Sequence, residues 1–83
     1  MEKQNNRGPY PQPNEIWQHY KGGKYQIVAM CNHTTTDEVL VIYKSLSFGG
    51  FHARPYSEWH EQVGETKAAG FPIYRFEKLT YSI

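Results

Sequence analysis

Residues 38–46 read Glu38-Val39-Leu40-Val41-Ile42-Tyr43-Lys44-Ser45-Leu46, and this stretch decides the fold class. In an extended chain Val39, Val41 and Tyr43 fall on one side, Leu40 and Ile42 on the other. A strand is therefore expected over 38–46, apolar on both faces and so central in its sheet. Upstream, 24–33 (KYQIVAMCNH) has the same character, with Tyr25, Ile27, Ala29 and Cys31 on one face and Val28 and Met30 on the other. The polar run Thr34-Thr35-Thr36-Asp37 joins the two. Gly22-Gly23 and Gly49-Gly50 mark tight turns beyond the outer ends of this pair, since glycine enters positive φ cheaply.

Further outward, 15–20 forms a weaker first strand and 51–54 a short one that Pro55 limits. Residues 57–63 are the helical candidate. Ser57 suits the N-cap, Glu58 and Glu61 the first turns and Gly64 the end, while Trp59 and Val63 share a face. The last strand is expected over 71–79. The whole reads as a mostly β fold: a small five-stranded SH3-like barrel with one short helix before the last strand, occupying 15–83. Residues 1–14 (MEKQNNRGPYPQPN) read as a flexible Pro-rich tail of polyproline II tendency, either a solvated leader or a segment docking along the domain.

Eighty-three residues supply one domain, and seven Tyr, four Phe and two Trp supply the dense core that so short a chain needs. Nine Lys and Arg against eight Asp and Glu leave a net charge of +1, scattered singly, which excludes the basic stripe of a duplex binder. The one cysteine, Cys31, excludes an internal disulfide and a Cys-rich zinc site. No apolar run approaches the roughly 20 residues of a membrane span, and the N-terminus lacks the apolar stretch of a signal peptide. A reducing, cytoplasmic compartment and no membrane partner are the expectation.

Chemistry is thin. Cys31 and His33 are two apart on a strand, so their side chains share a face, with Asp37 close behind. A small metal-dependent or hydrolytic enzyme centred on Cys31, His33 and Asp37 is the rival reading. Against it, no second ligand pair, glycine-framed elbow or helix N-terminus accompanies them. No catalytic residue, metal ligand or cofactor is assigned.

The segments His19-Tyr20-Lys21-Gly22-Gly23-Lys24-Tyr25, His33-Thr34, Val41-Ile42-Tyr43, Arg54-Pro55 and Arg75-Phe76, in that order and spacing, resemble a small bacterial family, the domain-of-unknown-function family numbered 1653. The resemblance covers roughly 17–79. Thr35 stands where the family outline has Glu, His52 where it has Trp, and Trp59-His60 where it has a Phe pair. The resemblance implies a compact domain, carries no activity, and draws attention to His33, Thr34, Arg54 and Arg75.

The leading reading is a non-catalytic binding module, monomeric or homodimeric, that holds a peptide, a protein or a single-stranded nucleic acid on an aromatic and arginine-bearing face. Tyr20, Tyr43 and Trp59 are expected to supply contact area, Arg54 a fixed charge, His33 and Thr34 polar contacts, and Arg75 a further cation.

Overall fold

The two strongest stretches pair antiparallel at the centre of the sheet as β2 (Lys24–Asn32) and β3 (Val39–Ser45). β1 (Ile16–His19) pairs with β2, and β4 (Phe51–Pro55) with β3. The chain then makes a 3-10 turn over Tyr56–Glu58. β5 (Gln62–Thr66) and β6 (Pro72–Tyr74) form a separate two-stranded sheet, and β7 (Phe76–Lys78) returns to lie beside β1. The main sheet has the order β4-β3-β2-β1-β7. This computed structural model describes residues 9–66 and 72–79.

The expected barrel is not closed. β4 and β7 are the two edges of an open five-stranded antiparallel sheet. The strand expected over 71–79 breaks at Arg75, and Phe71 lies outside the described residues. The Arg75 N–H donates to the Glu61 carbonyl and its own carbonyl accepts from the Tyr20 N–H, so the chain changes sheets at this residue.

Nor does 57–63 form a helix. Only the three residues Tyr56–Glu58 are helical, in a 3-10 turn after Pro55 that no side chain caps, and Trp59 and His60 continue it as a simple turn. Val63 lies in β5 instead. A seven-residue helix cannot nucleate by itself, and burying consecutive Trp59 and His60 defeats its one-sided pattern.

The expected faces of β3 are observed: Val41, Tyr43 and Ser45 turn inward and are buried. Those of β2 hold only halfway. Ile27 pairs with Tyr43 and Ala29 with Ile42, so Val28 is an extra, bulged residue. Beyond it the alternation reverses, and Met30 joins Tyr25 and Ile27 against the core while Cys31 is exposed.

Trp17, Ile27, Val41, Tyr43, Trp59 and Phe76 make the core. Trp59 stacks on Phe76 with centroids 3.8 Å apart and planes 4° from parallel, while Trp17 and Tyr43 meet Trp59 edge-on at 5.6 and 5.1 Å. Among the described residues the most exposed aromatics lie elsewhere: Phe48 is 93% exposed and Phe51 70%, at the β3–β4 turn and on the edge strand.

Of the expected tail, residues 1–8 lie outside the described residues, and residues 9–14 pack on the domain rather than trailing from it. Pro11 is fully buried, the Asn14 N–H donates to the Ile27 carbonyl, and His60 Nε2 stands 2.9 Å from the Pro9 carbonyl oxygen. Residues 9–14 are therefore packed against the domain that was expected to begin at Glu15.

Glu15 ties this segment to the sheet. Its Oε1 accepts from the Gln12 N–H and from Trp17 Nε1, each at 3.0 Å, and its Oε2 pairs with Lys78 Nζ at 3.0 Å. Burial alone raises the Glu15 pKa, but hydrogen bonds from Gln12, Lys78 and Trp17 outweigh it and hold the carboxyl below the ordinary range. For His60 burial dominates, and its pKa falls despite the bond to Pro9.

Both groups hold protons more weakly folded than unfolded, so stability falls with pH. His60 and His19, both with lowered pKa, contribute the loss below about pH 6.5, the ordinary histidine value, and Glu15 the loss below about 4.3. The urea midpoint should thus be highest near neutrality and decline in two stages. Glu15→Gln should flatten the acid stage and cost about 1–2 kcal/mol at pH 7.

The two buried tryptophans differ in one respect. Trp17 Nε1 donates to Glu15, whereas the buried Trp59 Nε1 has no hydrogen-bond partner among the described residues. Trp17→Phe should therefore destabilise by about 1 kcal/mol more than Trp59→Phe in matched urea unfolding.

Candidate functional site

The β1–β2 hairpin builds one corner of the inner face. His19 closes β1, and the chain reverses through Tyr20, Lys21, Gly22 and Gly23, with Gly22 at φ 111°. A Cβ on Gly23 would stand 3.0 Å from the Tyr25 hydroxyl, so the glycine lets the Tyr25 ring lie back over the turn. His19 pairs across with Phe76 of β7, and their rings meet edge-on at 5.0 Å. The Lys21 N–H donates to His19 Nδ1 at 3.2 Å, which leaves Nε2 to carry the proton of the neutral ring.

Two arginines approach this corner. The Arg54 guanidinium stands over Phe76, 5.8 Å from its centroid, with Nε donating to the Tyr43 hydroxyl at 3.4 Å and Nη1 to Glu58 at 3.2 Å. Arg75 Nη2 donates to Glu61 at 2.7 Å, and its buried Nε has no partner among the described residues. Burial lowers the His19 pKa first, and the charges of Arg54, Arg75 and Lys21 lower it further. His19 is thus a neutral donor in a positive local field.

Beside it opens a cleft of about 260 Å³, lined by Gln18, His19, Tyr20, Gly22, Ile73, Tyr74 and Glu77. Tyr20 and Tyr74 offer ring surface, and the lining holds no Ser, Thr or Cys nucleophile. A volume this small fits one ring or one short side chain.

The residues singled out from sequence do not all meet here. Tyr20 lines the cleft, and Arg54 and Arg75 flank His19. Tyr43, 6% exposed, and Trp59, fully buried, are core residues that offer no contact area to a ligand. His33 and Thr34 lie in the β2–β3 connection, at the opposite end of β2 and roughly 30 Å of strand away. There His33 Nδ1 accepts from the N–H groups of Thr35 and Thr36 at 3.1 and 3.3 Å, and the Asp37 N–H donates to its carbonyl. His33 organises the turn, with Asp37 at φ 64°.

The rival centre fares no better. Cys31 is exposed, the Nδ1 of His33 is committed to the turn, and no three His, Cys, Asp or Glu side chains group as metal ligands among the described residues.

Sequence reasoning missed His19 and Glu77 as cleft residues and Phe76 as the ring that joins cleft to core. His19 and Phe76 did carry a signal, since both stand in the segments that resemble the family outline. Glu77 carried none.

Fold and corner together define a small all-β domain with an open five-stranded sheet and an arginine- and tyrosine-flanked cleft at one hairpin. A family model described as a protein of unknown function (DUF1653) matches residues 15–78, and the chain belongs to that family. It is similar to the crystal structure of a protein of that family from Bordetella bronchiseptica, at 29% identity and a TM-score of 0.68, over 87% of this chain and 91% of that one. No curated protein matches the chain.

The turn role of His33 is testable. His33→Ala should cost about 1 kcal/mol in urea unfolding and speed amide exchange at Thr35 and Thr36, while leaving the chemical shifts around His19 in place.

Proposed function

We propose that this protein is a non-catalytic binding module of the bacterial cytoplasm, and that its ligand is a single-stranded nucleic acid held at the His19 cleft. The observation that carries the reading is the cleft walled by the rings of Tyr20 and Tyr74 beside a neutral His19; the charges of Lys21, Arg54 and Arg75 act on that histidine from outside the lining, and Glu77 is the carboxylate within it. Ring faces stack a base of any identity, and fixed cations meet the phosphate that accompanies it. The net charge of +1 supports a single strand gripped by stacking over a duplex gripped by many phosphates. The free thiol of Cys31 accords with a reducing compartment, and among the described residues no helix is long and apolar enough to cross a membrane.

Binding of an anion favours the protonated form of His19. Its pKa, held down in the free protein, therefore rises on binding, and by linkage affinity strengthens as pH falls below about 6.5. The test is an amide and imidazole NMR titration with a hexathymidylate. Shifts should concentrate at Tyr20, Lys21, Gly22 and Tyr74, and the His19 titration midpoint should move up. Tyr20→Ala should weaken binding about tenfold, at roughly 1–3 kcal/mol per stacked base. A silent titration at millimolar oligonucleotide, or binding indifferent to Tyr20→Ala, sinks the reading.

A further inference from the structure

A second groove, beside the 3-10 turn and sharing no residue with the lining of the His19 cleft, is already occupied. Residues 9–12 (Pro-Tyr-Pro-Gln) form neither helix nor strand, yet they are held at every position. The Pro9 carbonyl oxygen lies 2.9 Å from His60 Nε2, the Tyr10 ring meets Tyr56 at 4.8 Å and 65°, Pro11 is fully buried, and the Gln12 N–H donates to Glu15. The walls come from three elements. Tyr56 stands on the 3-10 turn, His60 follows it, and Trp17 of β1 lies behind with its ring 5.5 Å from that of His60. His60 is itself only 5% exposed, a polar group placed in an aromatic wall.

This is the chemistry that a proline-rich chain demands. Proline has no N–H, so such a segment presents carbonyl oxygens and flat rings but few donors. Its receptor must supply aromatic surface for the rings and a donor for a carbonyl. Tyr56 supplies the first, with Trp17 backing His60. His60 supplies the second, and against a carbonyl its Nε2 must be the donor.

We propose that the groove formed by Trp17, Tyr56 and His60 is a binding site for segments of the Pro-Tyr-Pro type, filled in this chain by its own residues 9–11 and open to the same sequence from another chain once that strap lifts. The site is independent of the His19 cleft. An intact strap competes as a tethered ligand, at an effective concentration of about millimolar.

The test uses the full-length, 15N-labelled chain carrying Pro11→Asp and, separately, Tyr10→Ala. Each variant is titrated with the peptide Pro-Tyr-Pro-Gln-Pro-Asn and with the control Ala-Tyr-Ala-Gln-Ala-Asn. In both variants the amides of Ile27, Val41 and Tyr43 should keep their positions. The proline peptide should shift Tyr56, His60 and the Trp17 indole saturably, and the control should not. The unaltered chain should need at least tenfold more peptide for the same shift. The proposal fails if folded variants ignore the peptide, or if the control acts equally. It fails too if the unaltered chain responds as readily as the variants, or if both variants lose their core dispersion, which would make the strap an integral part of the core.

Discussion

The structure depends on what surrounds one ring. Phe76 has Trp59 stacked at 3.8 Å, the Arg54 guanidinium over it at 5.8 Å, and the rings of His19, Tyr25 and Tyr43 around it between 5.0 and 5.9 Å. It stands on a three-residue strand at the sheet edge, where the ladder alone holds little. An open sheet must cover its inner face by some means other than closing on itself. Here an aromatic plug does so, reaching from β7 to the residues after the 3-10 turn and across to β2 and β3. Loss of such a ring from a core this small removes several kcal/mol, a large share of what a short domain has.

The arginines of the corner are each held by a glutamate, Arg54 by Glu58 and Arg75 by Glu61. Those pairs are half exposed and add little stability. Their effect is on geometry, since a guanidinium held in place loses less freedom when it meets a ligand. The domain thus carries a positive local field at His19 while its overall charge stays near neutral.

Much of the sheet was legible before the structure. β1 to β4 follow the hydrophobic alternation and the two Gly-Gly turns to within a residue or two. The rest was hidden for identifiable reasons. Residues 57–63 carry helix start and stop signals, but the burial of Trp59 and His60 and the pairing of Gln62 with Tyr74 override local preference. The break at Arg75 rests on two backbone hydrogen bonds to distant residues, and no local pattern encodes these. For the site, Tyr20, Arg54 and Arg75 were in view, yet Tyr43 and Trp59, expected to supply contact area, are core, because Tyr43 is on the inward face of β3 and Trp59 stacks on Phe76. His33 stood out as a polar group in a loop, and its ring faces the amides of its own turn.

The bulge at Val28 gives β2 something like a reading frame. Tyr25 and Ile27 are in one phase and Met30 in the other, and the extra residue between them is what lets both halves address the same core. The Val28 side chain is 40% exposed, so its identity matters little. Its presence as a spacer matters a great deal, because without it one half of the strand would transpose its inward and outward side chains. The quantity held at this position is therefore a count rather than a residue: β2 tolerates a spelling change there far better than a missing letter.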